Sequence, residues 1–161
     1  MAMNDSSDVT RVPEEGALLG VDYGTKRIGI AFAVPEQTFA SPLEIYHRRN
    51  ERLDQKYFVE VIQEYRIKGI VLGLPLHVSG EESGMSHQVR QFAKWMQTFT
   101  DLPIEFWDER YTSAVAEEHM LDVDMSRKKR KKRMDMVAAQ VMLQSFLNYR
   151  IQQNAAHYEE E

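Results

Sequence analysis

Residues 69–75 carry the clearest secondary-structure signal in the chain: Gly69-Ile70-Val71-Leu72-Gly73-Leu74-Pro75. An uninterrupted apolar run with β-branched residues that stops at a proline is typical of a strand buried on both faces, as in a parallel sheet. On either side of it, further apolar runs and helical spacings follow one another. They predict strands near residues 18–21, 28–34, 44–46 and 104–107, and helices over 51–66, around 89–96, over 113–121 and from 127 to about 150.

The order of these segments predicts an α/β domain. Three strands follow one another directly, and the later strands alternate with helices, which indicates a mixed five-stranded sheet with helices on both faces. Handedness rules place the later strands parallel to the first, so that their carboxyl ends meet at one edge. Ligands of open α/β sheets bind outside that edge. Residues that directly follow the strands are therefore the first candidates for a functional site.

The composition excludes several classes of protein. The 161 residues contain no cysteine, which excludes disulfide scaffolds, thiolate zinc sites and cysteine nucleophiles. No stretch approaches the roughly 20 apolar residues that span a bilayer, and residues 1–15 do not resemble a signal peptide. We therefore expect a cytoplasmic protein without a membrane partner. The domain is predicted over residues 16–152, between a disordered segment, 1–15, and an acidic tail, 153–161.

The charge is unevenly distributed. Seven consecutive cations form a basic block: Arg127, Lys128, Lys129, Arg130, Lys131, Lys132 and Arg133. Without these seven, 13 Lys and Arg stand against 25 Asp and Glu, so the rest of the chain is acidic. Adjacent like charges repel one another, and a bound polyanion relieves that repulsion while releasing its counterions. The block predicts nucleic-acid binding at one place, although a merely solvated helix start has the same composition.

Carboxylates stand at the ends of two predicted strands. Asp22 ends the first strand before a Gly-Thr turn, and Asp108 and Glu109 end the last strand. Because side chains alternate along a strand, at most one of Asp108 and Glu109 points toward Asp22. We expect the other to form an ion pair with Arg110. Ordinary turn aspartates that bind their own backbone have the same pattern and remain an alternative.

A further acid lies on the last predicted helix. Asp135 stands above Ala139 on an apolar stripe, where a carboxylate is costly unless a cation is close. A divalent metal ion or a neighbouring arginine would supply that charge. Carboxylates from two strand ends and one helix form a hard-oxygen site, which suits Mg²⁺ or Mn²⁺ rather than zinc. Two such ions can activate water and stabilise in-line phosphodiester cleavage.

Four segments occur in the order and spacing of one known family. They are Leu19-Gly20-Val21-Asp22-Tyr23-Gly24-Thr25-Lys26-Arg27-Ile28-Gly29, Gly73-Leu74-Pro75-Leu76, Asp108-Glu109-Arg110-Tyr111-Thr112, and Ser126 to Lys132 with Asp135, Ala138-Ala139 and Leu143-Gln144-Ser145. Over about residues 16–150 the chain resembles the YqgF (RuvX) family. These bacterial proteins are regarded as Holliday-junction resolvases and as nucleases in maturation of the 16S ribosomal RNA precursor. The resemblance implies an RNase H-like fold and metal-dependent hydrolysis of phosphodiester bonds.

The resemblance also implies residue roles. Asp22, Asp135 and one of the pair Asp108 and Glu109 match the family's catalytic acids and would hold two Mg²⁺ or Mn²⁺ ions. The implied nucleic-acid contacts are Thr25, Lys26, Arg110 and the basic block. The function implied is that of a hydrolase, a nuclease that processes the 5′ end of the 16S ribosomal RNA precursor.

Two other functions remain open: a resolvase of four-way DNA junctions and a non-catalytic RNA- or ribosome-binding protein of the same fold. Junction resolvases of this fold carry an acid after the central strand, where this chain has Leu74-Pro75. That difference favours RNA cleavage. Symmetric junction cutting usually needs a homodimer, whereas cleavage of RNA is compatible with a monomer. An ATP-binding module of the actin type needs two lobes, which a chain of 161 residues cannot provide.

Overall fold

A computed structural model describes residues 11–112 and 125–159 of the chain. One sheet and three α-helices make up the described fold. The elements are β1 (Ala17–Asp22), β2 (Arg27–Ala33), β3 (Ala40–His47), α1 (Glu51–Glu64), β4 (Ile67–Leu74), α2 (Gly84–Gln97), β5 (Ile104–Asp108) and α3 (Arg127–Glu159). A 3-10 turn, Glu109–Tyr111, follows β5 directly.

The strands form a mixed sheet in the order β3-β2-β1-β4-β5. β2 is antiparallel to both β1 and β3, whereas β4 is parallel to β1 and β5 is parallel to β4. The predicted mixed five-stranded sheet is thus confirmed, together with the parallel direction of the later strands. The carboxyl ends of β1, β4 and β5 meet at one edge, where Asp22 and the pair Asp108-Glu109 lie.

Helices cover both faces of the sheet. The face that carries Leu19, Val21 and Leu72 packs against α1 and α2, and the face that carries Leu18 and Val71 packs against α3. Because side chains alternate along β1, Gly20 and Asp22 share the α3 face with Leu18. Gly20 allows α3 to approach closely, since a Cβ at that position would lie 2.9 Å from the Leu143 Cβ.

Side-chain caps explain where the first two helices begin. The Asn50 side chain accepts a hydrogen bond from the backbone N–H of Leu53 at 2.9 Å, and Ser83 accepts one from Ser86 at 3.0 Å. Such caps satisfy N–H groups that have no partner inside the helix. None of the described helices is both long and apolar enough to cross a membrane.

Several predicted boundaries differ from the structure. The sequence predicts β3 near 44–46, but the strand extends over Ala40–His47, because it pairs with β2 along its whole length. α3 continues past residue 150 to Glu159, so that residues 153–159 of the predicted acidic tail are helical. Within the predicted disordered segment, Val12 is buried and its N–H donates to Glu105 Oε1 at 3.0 Å. The helix predicted over 113–121 lies outside the described residues.

Candidate active site

Asp22 and Asp135 approach each other across Gly29 of β2. Gly29 is the register partner of Asp22, and a Cβ built on it would lie 3.4 Å from the Asp22 Cβ. The same point lies 3.7 Å from the Asp135 carbonyl oxygen and 3.4 Å from the Ala139 Cβ. Helical side chains lean toward the N-terminus of their helix, so the Asp135 carboxylate projects beyond Ala139 toward the carboxyl edge of β1.

Glu109 lies on the same face of the sheet. Its side chain covers Gly73 of β4, where a Cβ would stand 3.1 Å from the Glu109 Cδ. Trp107, two residues earlier, belongs to the core cluster beneath α3. Since side chains alternate along a strand, a residue two positions later is expected on the same face. Gly73 follows Leu72, the register partner of Val21, so Glu109 is positioned beside the end of β1. Asp22, Glu109 and Asp135 therefore all belong to the α3 side of the sheet edge.

Asp108 belongs to the opposite side and is held by an arginine. Arg110 Nη2 donates to Asp108 Oδ2 at 2.6 Å, and Arg110 Nε donates to both carboxylate oxygens at 3.0 Å. These hydrogen bonds hold the pKa of the Asp108 carboxyl below its usual value. Arg110 Nη1 also donates to the Val78 carbonyl at 3.1 Å, which ties the loop after β4 to the end of β5. Arg110, predicted as a nucleic-acid contact, thus has two protein partners.

The three carboxylates on the α3 side match a divalent cation in donor type. Each supplies hard oxygen ligands, and the Asp22 Cβ and the Asp135 backbone carbonyl both lie within 4 Å of a Cβ built on Gly29. Within residues 11–112 and 125–159, no three acidic or histidine side chains are close enough to hold one ion together. The three carboxylates therefore suit a divalent cation in their donor atoms and in the face of the sheet that they share. To bind one ion together, their side chains would have to rotate toward it.

The predicted cationic contacts flank these acids. The basic block forms the first two turns of α3, and every one of its side chains is exposed. Asp135 lies two positions after Arg133, the last residue of the block, so the cations immediately precede this carboxylate along α3. Thr25 and Lys26 are exposed in the turn that follows Asp22. Exposed groups that can hold anionic phosphates thus precede Asp135 along α3 and follow Asp22 along the chain.

A partly buried ion pair, Arg48–Asp54, holds the turn between β1 and β2. Arg48 donates from its backbone N–H to the Lys26 carbonyl at 2.9 Å and from Nη1 to the Tyr23 hydroxyl at 3.2 Å. Asp54 of α1 is buried and accepts from Arg48 Nε at 3.4 Å and from the Tyr46 hydroxyl at 2.6 Å. Sequence reasoning missed this pair. The signal in the sequence is an acid at position 54, four residues before Phe58 on the apolar face of the helix.

We expect Asp54→Asn to destabilise the protein by about 2 kcal/mol, because the new amide group would oppose the Arg48 guanidinium in a buried setting. Solvent screening limits the loss, since the Arg48 side chain is 24% exposed. Urea unfolding would measure it. Glu60→Gln is the matched control, since Glu60 forms an exposed pair with Lys56, and a change below about 0.5 kcal/mol is expected. Equal effects of the two substitutions would show that the Asp54 pair does not stabilise this corner.

Comparisons with known proteins agree with this architecture. The sequence model of the RuvX family, described as Holliday junction resolvase, matches residues 16–149. A relative from Rhodopirellula baltica named "Putative pre-16S rRNA nuclease" is 44% identical over 135 residues, which cover 84% of this chain and 78% of the relative. A relative of the same name from Rhodobacter capsulatus is 40% identical over 146 residues, covering 91% and 92% of the two chains.

A solved structure shares the fold. The RuvC protein of T. thermophilus in complex with a Holliday junction substrate superposes with a TM-score of 0.54 at 13% identity, over 84% of this chain and 96% of that chain. At this identity the likeness establishes the fold alone. The family match covers most of the chain, and the two curated relatives cover 84% and 91% of it. This chain belongs to the RuvX family.

Proposed function

We propose that the protein is a metal-dependent nuclease that hydrolyses phosphodiester bonds of structured RNA, with the 16S ribosomal RNA precursor as its substrate in the cytoplasm. The observation that carries the proposal is the placement of Asp22, Glu109 and Asp135 on one side of the sheet edge, next to the exposed basic block. The names of the curated relatives support the choice of RNA. The absence of an acid directly after β4, where Pro75 stands, supports it as well.

In this proposal Asp22, Glu109 and Asp135 would hold Mg²⁺ or Mn²⁺. Such ions would supply an activated water and would stabilise the charge that develops on the attacked phosphate and on the ester oxygen that leaves. The chain's own contribution is positioning. The basic block and Lys26 hold the phosphodiester backbone, and the Asp108–Arg110 pair fixes the turn that carries Glu109. The Arg48–Asp54 pair fixes the turn that follows Asp22.

The substrate is tested by incubating the protein with a 16S precursor RNA and, in parallel, with a synthetic four-way DNA junction. Each substrate is incubated once with Mn²⁺ and once with EDTA. The same set of reactions is repeated with the Asp22→Asn variant. We expect RNA cleavage that needs the metal and is abolished in the variant. Paired symmetric incisions in the DNA alone would show that the chain is a junction resolvase instead. Binding of RNA without cleavage by either protein would contradict any catalytic function.

Gly73→Ala tests the position assigned to Glu109. The added methyl group would collide with the end of the Glu109 side chain, which can move, whereas the backbone of β4 need not. We expect the affinity for Mn²⁺ to fall about tenfold, the usual scale when a metal ligand loses its support, with little change in thermal stability. Gly84→Ala is the control, because no atom lies within 4 Å of its added Cβ. Unchanged Mn²⁺ affinity in Gly73→Ala would contradict the placement of Glu109 at the metal.

A further inference from the structure

A row of aromatic rings leads away from Glu109 on the α3 side. The Trp107 ring centroid lies 5.9 Å from that of Tyr111 and 5.5 Å from that of Tyr149. Trp107 is buried, whereas Tyr111 is 66% exposed and Tyr149 is 50% exposed. The Trp107 indole N–H donates to the Thr112 hydroxyl at 3.3 Å, which fixes the orientation of the central ring. Two exposed rings therefore both lie within 6 Å of the anchored Trp107 ring.

The row ends in a cleft of about 510 Å³. Trp107 and Phe146 form its apolar floor, Tyr149 forms part of its wall, and residues 11–14 close one side. Gln153, Asn154 and His157 contribute polar groups from the last turns of α3. An aromatic wall beside exposed amide and imidazole groups matches the chemistry of a nucleobase, which presents a flat face and a polar edge.

The cleft is also electrostatically suited to a nucleotide. Arg11 and Arg150 line it, and the Arg150 guanidinium lies 5.3 Å from the centre of the Phe146 ring. Its two acids are Glu14 and Glu105, and Glu105 accepts the Val12 N–H at 3.0 Å, so two carboxylates stand against two arginines. In a chain whose surface is acidic outside the basic block, this balance of charge does not repel a phosphate backbone.

We propose that the cleft binds a nucleobase of a single-stranded segment that flanks the cleaved bond, with Tyr149 as the stacking surface and Tyr111 as a second one nearer to Glu109. The proposal rests on the proposed nuclease function for the position of that bond. From Glu105 to Asp108, the residue before Glu109, β5 covers about 10 Å, a distance that a few nucleotides can span. A base-paired segment could not stack its base there, because the faces of a paired base are covered by its neighbours in the duplex and its Watson–Crick edge is occupied.

Trp107 supplies a direct probe of binding. The chain contains two tryptophans, so Trp95→Phe leaves Trp107 as the only source of tryptophan fluorescence. In EDTA, where no cleavage occurs, this variant is titrated with a short single-stranded RNA, its DNA counterpart and an RNA duplex. We expect the single strands to quench Trp107 and the duplex to have no such effect. Comparison of the RNA and DNA arms identifies which backbone the cleft accepts.

Tyr149→Ala in the same background should weaken the single-strand affinity at least about fivefold, the lower limit for removal of one stacked base. Tyr158→Ala is the matched control, since Tyr158 is an exposed tyrosine of α3 outside the cleft. Equal affinities of the two variants would overturn the proposal. So would a Trp107 signal that responds to protein concentration alone, because a second copy of the chain would then fill the cleft. The nuclease function survives either result if Asp22→Asn still abolishes RNA cleavage.

Discussion

Glu109→Gln is expected to lower metal-dependent cleavage about 10³-fold or more, whereas Asp108→Asn keeps most of the activity. Glu109 lies over Gly73 on the side of Asp22 and Asp135, so its charge would be part of the metal site. Removal of one metal-binding charge takes away several kcal/mol of transition-state stabilisation. Asp108 instead binds Arg110 on the other side of the sheet edge. Single-turnover cleavage of the precursor RNA measures both variants.

Thermal unfolding provides the control for this pair of variants. The Asp108–Arg110 pair is partly exposed, so Asp108→Asn should cost about 1 kcal/mol or less. Glu109→Gln preserves the shape of the side chain and should leave the melting temperature near that of the unmodified protein. If Asp108→Asn abolished cleavage while Glu109→Gln retained it, Asp108 and not Glu109 would be the metal ligand.

Replacement of four lysines of the basic block by glutamine should make RNA binding much less dependent on salt. The variant combines changes at Lys128, Lys129, Lys131 and Lys132, all exposed at the start of α3. The slope of log affinity against log salt is negative, and its magnitude decreases by about 0.7 to 0.9 for each phosphate that is no longer neutralised. For four lysines the magnitude of the slope should therefore fall by about 3. Glutamine has a helix propensity close to that of lysine, and α3 should therefore still form.

The matched control replaces Lys68 and Lys94, which are exposed elsewhere, by glutamine. We expect almost no change in slope for that protein, measured by fluorescence anisotropy between low and moderate salt. A four-lysine variant with the salt dependence of the unmodified chain would show that the basic block is a solvated helix start and not the phosphate-binding surface.

The sheet could be predicted from local sequence because its strands are apolar runs separated by turns and helices. The choice between Asp108 and Glu109 could not. Phe106 and Trp107 point to opposite faces of β5, and both are apolar. Their pattern in the sequence therefore does not show which of the two following acids faces Asp22. The contact of Glu109 with Gly73 of a neighbouring strand reveals it, and that contact joins residues far apart in the sequence.

Two other features escaped prediction for the same physical reason. Val12 follows a polar N-terminal segment, and its hydrogen bond to Glu105, with those that the Pro13 carbonyl accepts from Gln37 and Arg150, shows that the chain is held there. Asp54 interrupts the apolar face of α1, and its partners come from β3 and from the loop before the helix. Local periodicity gives no information about such partners, because buried polar groups are satisfied by whichever residues the tertiary structure brings to them.

Calorimetric titration of Mn²⁺ into the unmodified protein and into Asp22→Asn tests whether Asp22, with Glu109 and Asp135, binds a divalent ion at the carboxyl edge of the sheet. We expect saturable binding to the unmodified chain and none to the variant, with both proteins equally folded. Equal binding by the two proteins, or none by either, would contradict a metal site at these three carboxylates.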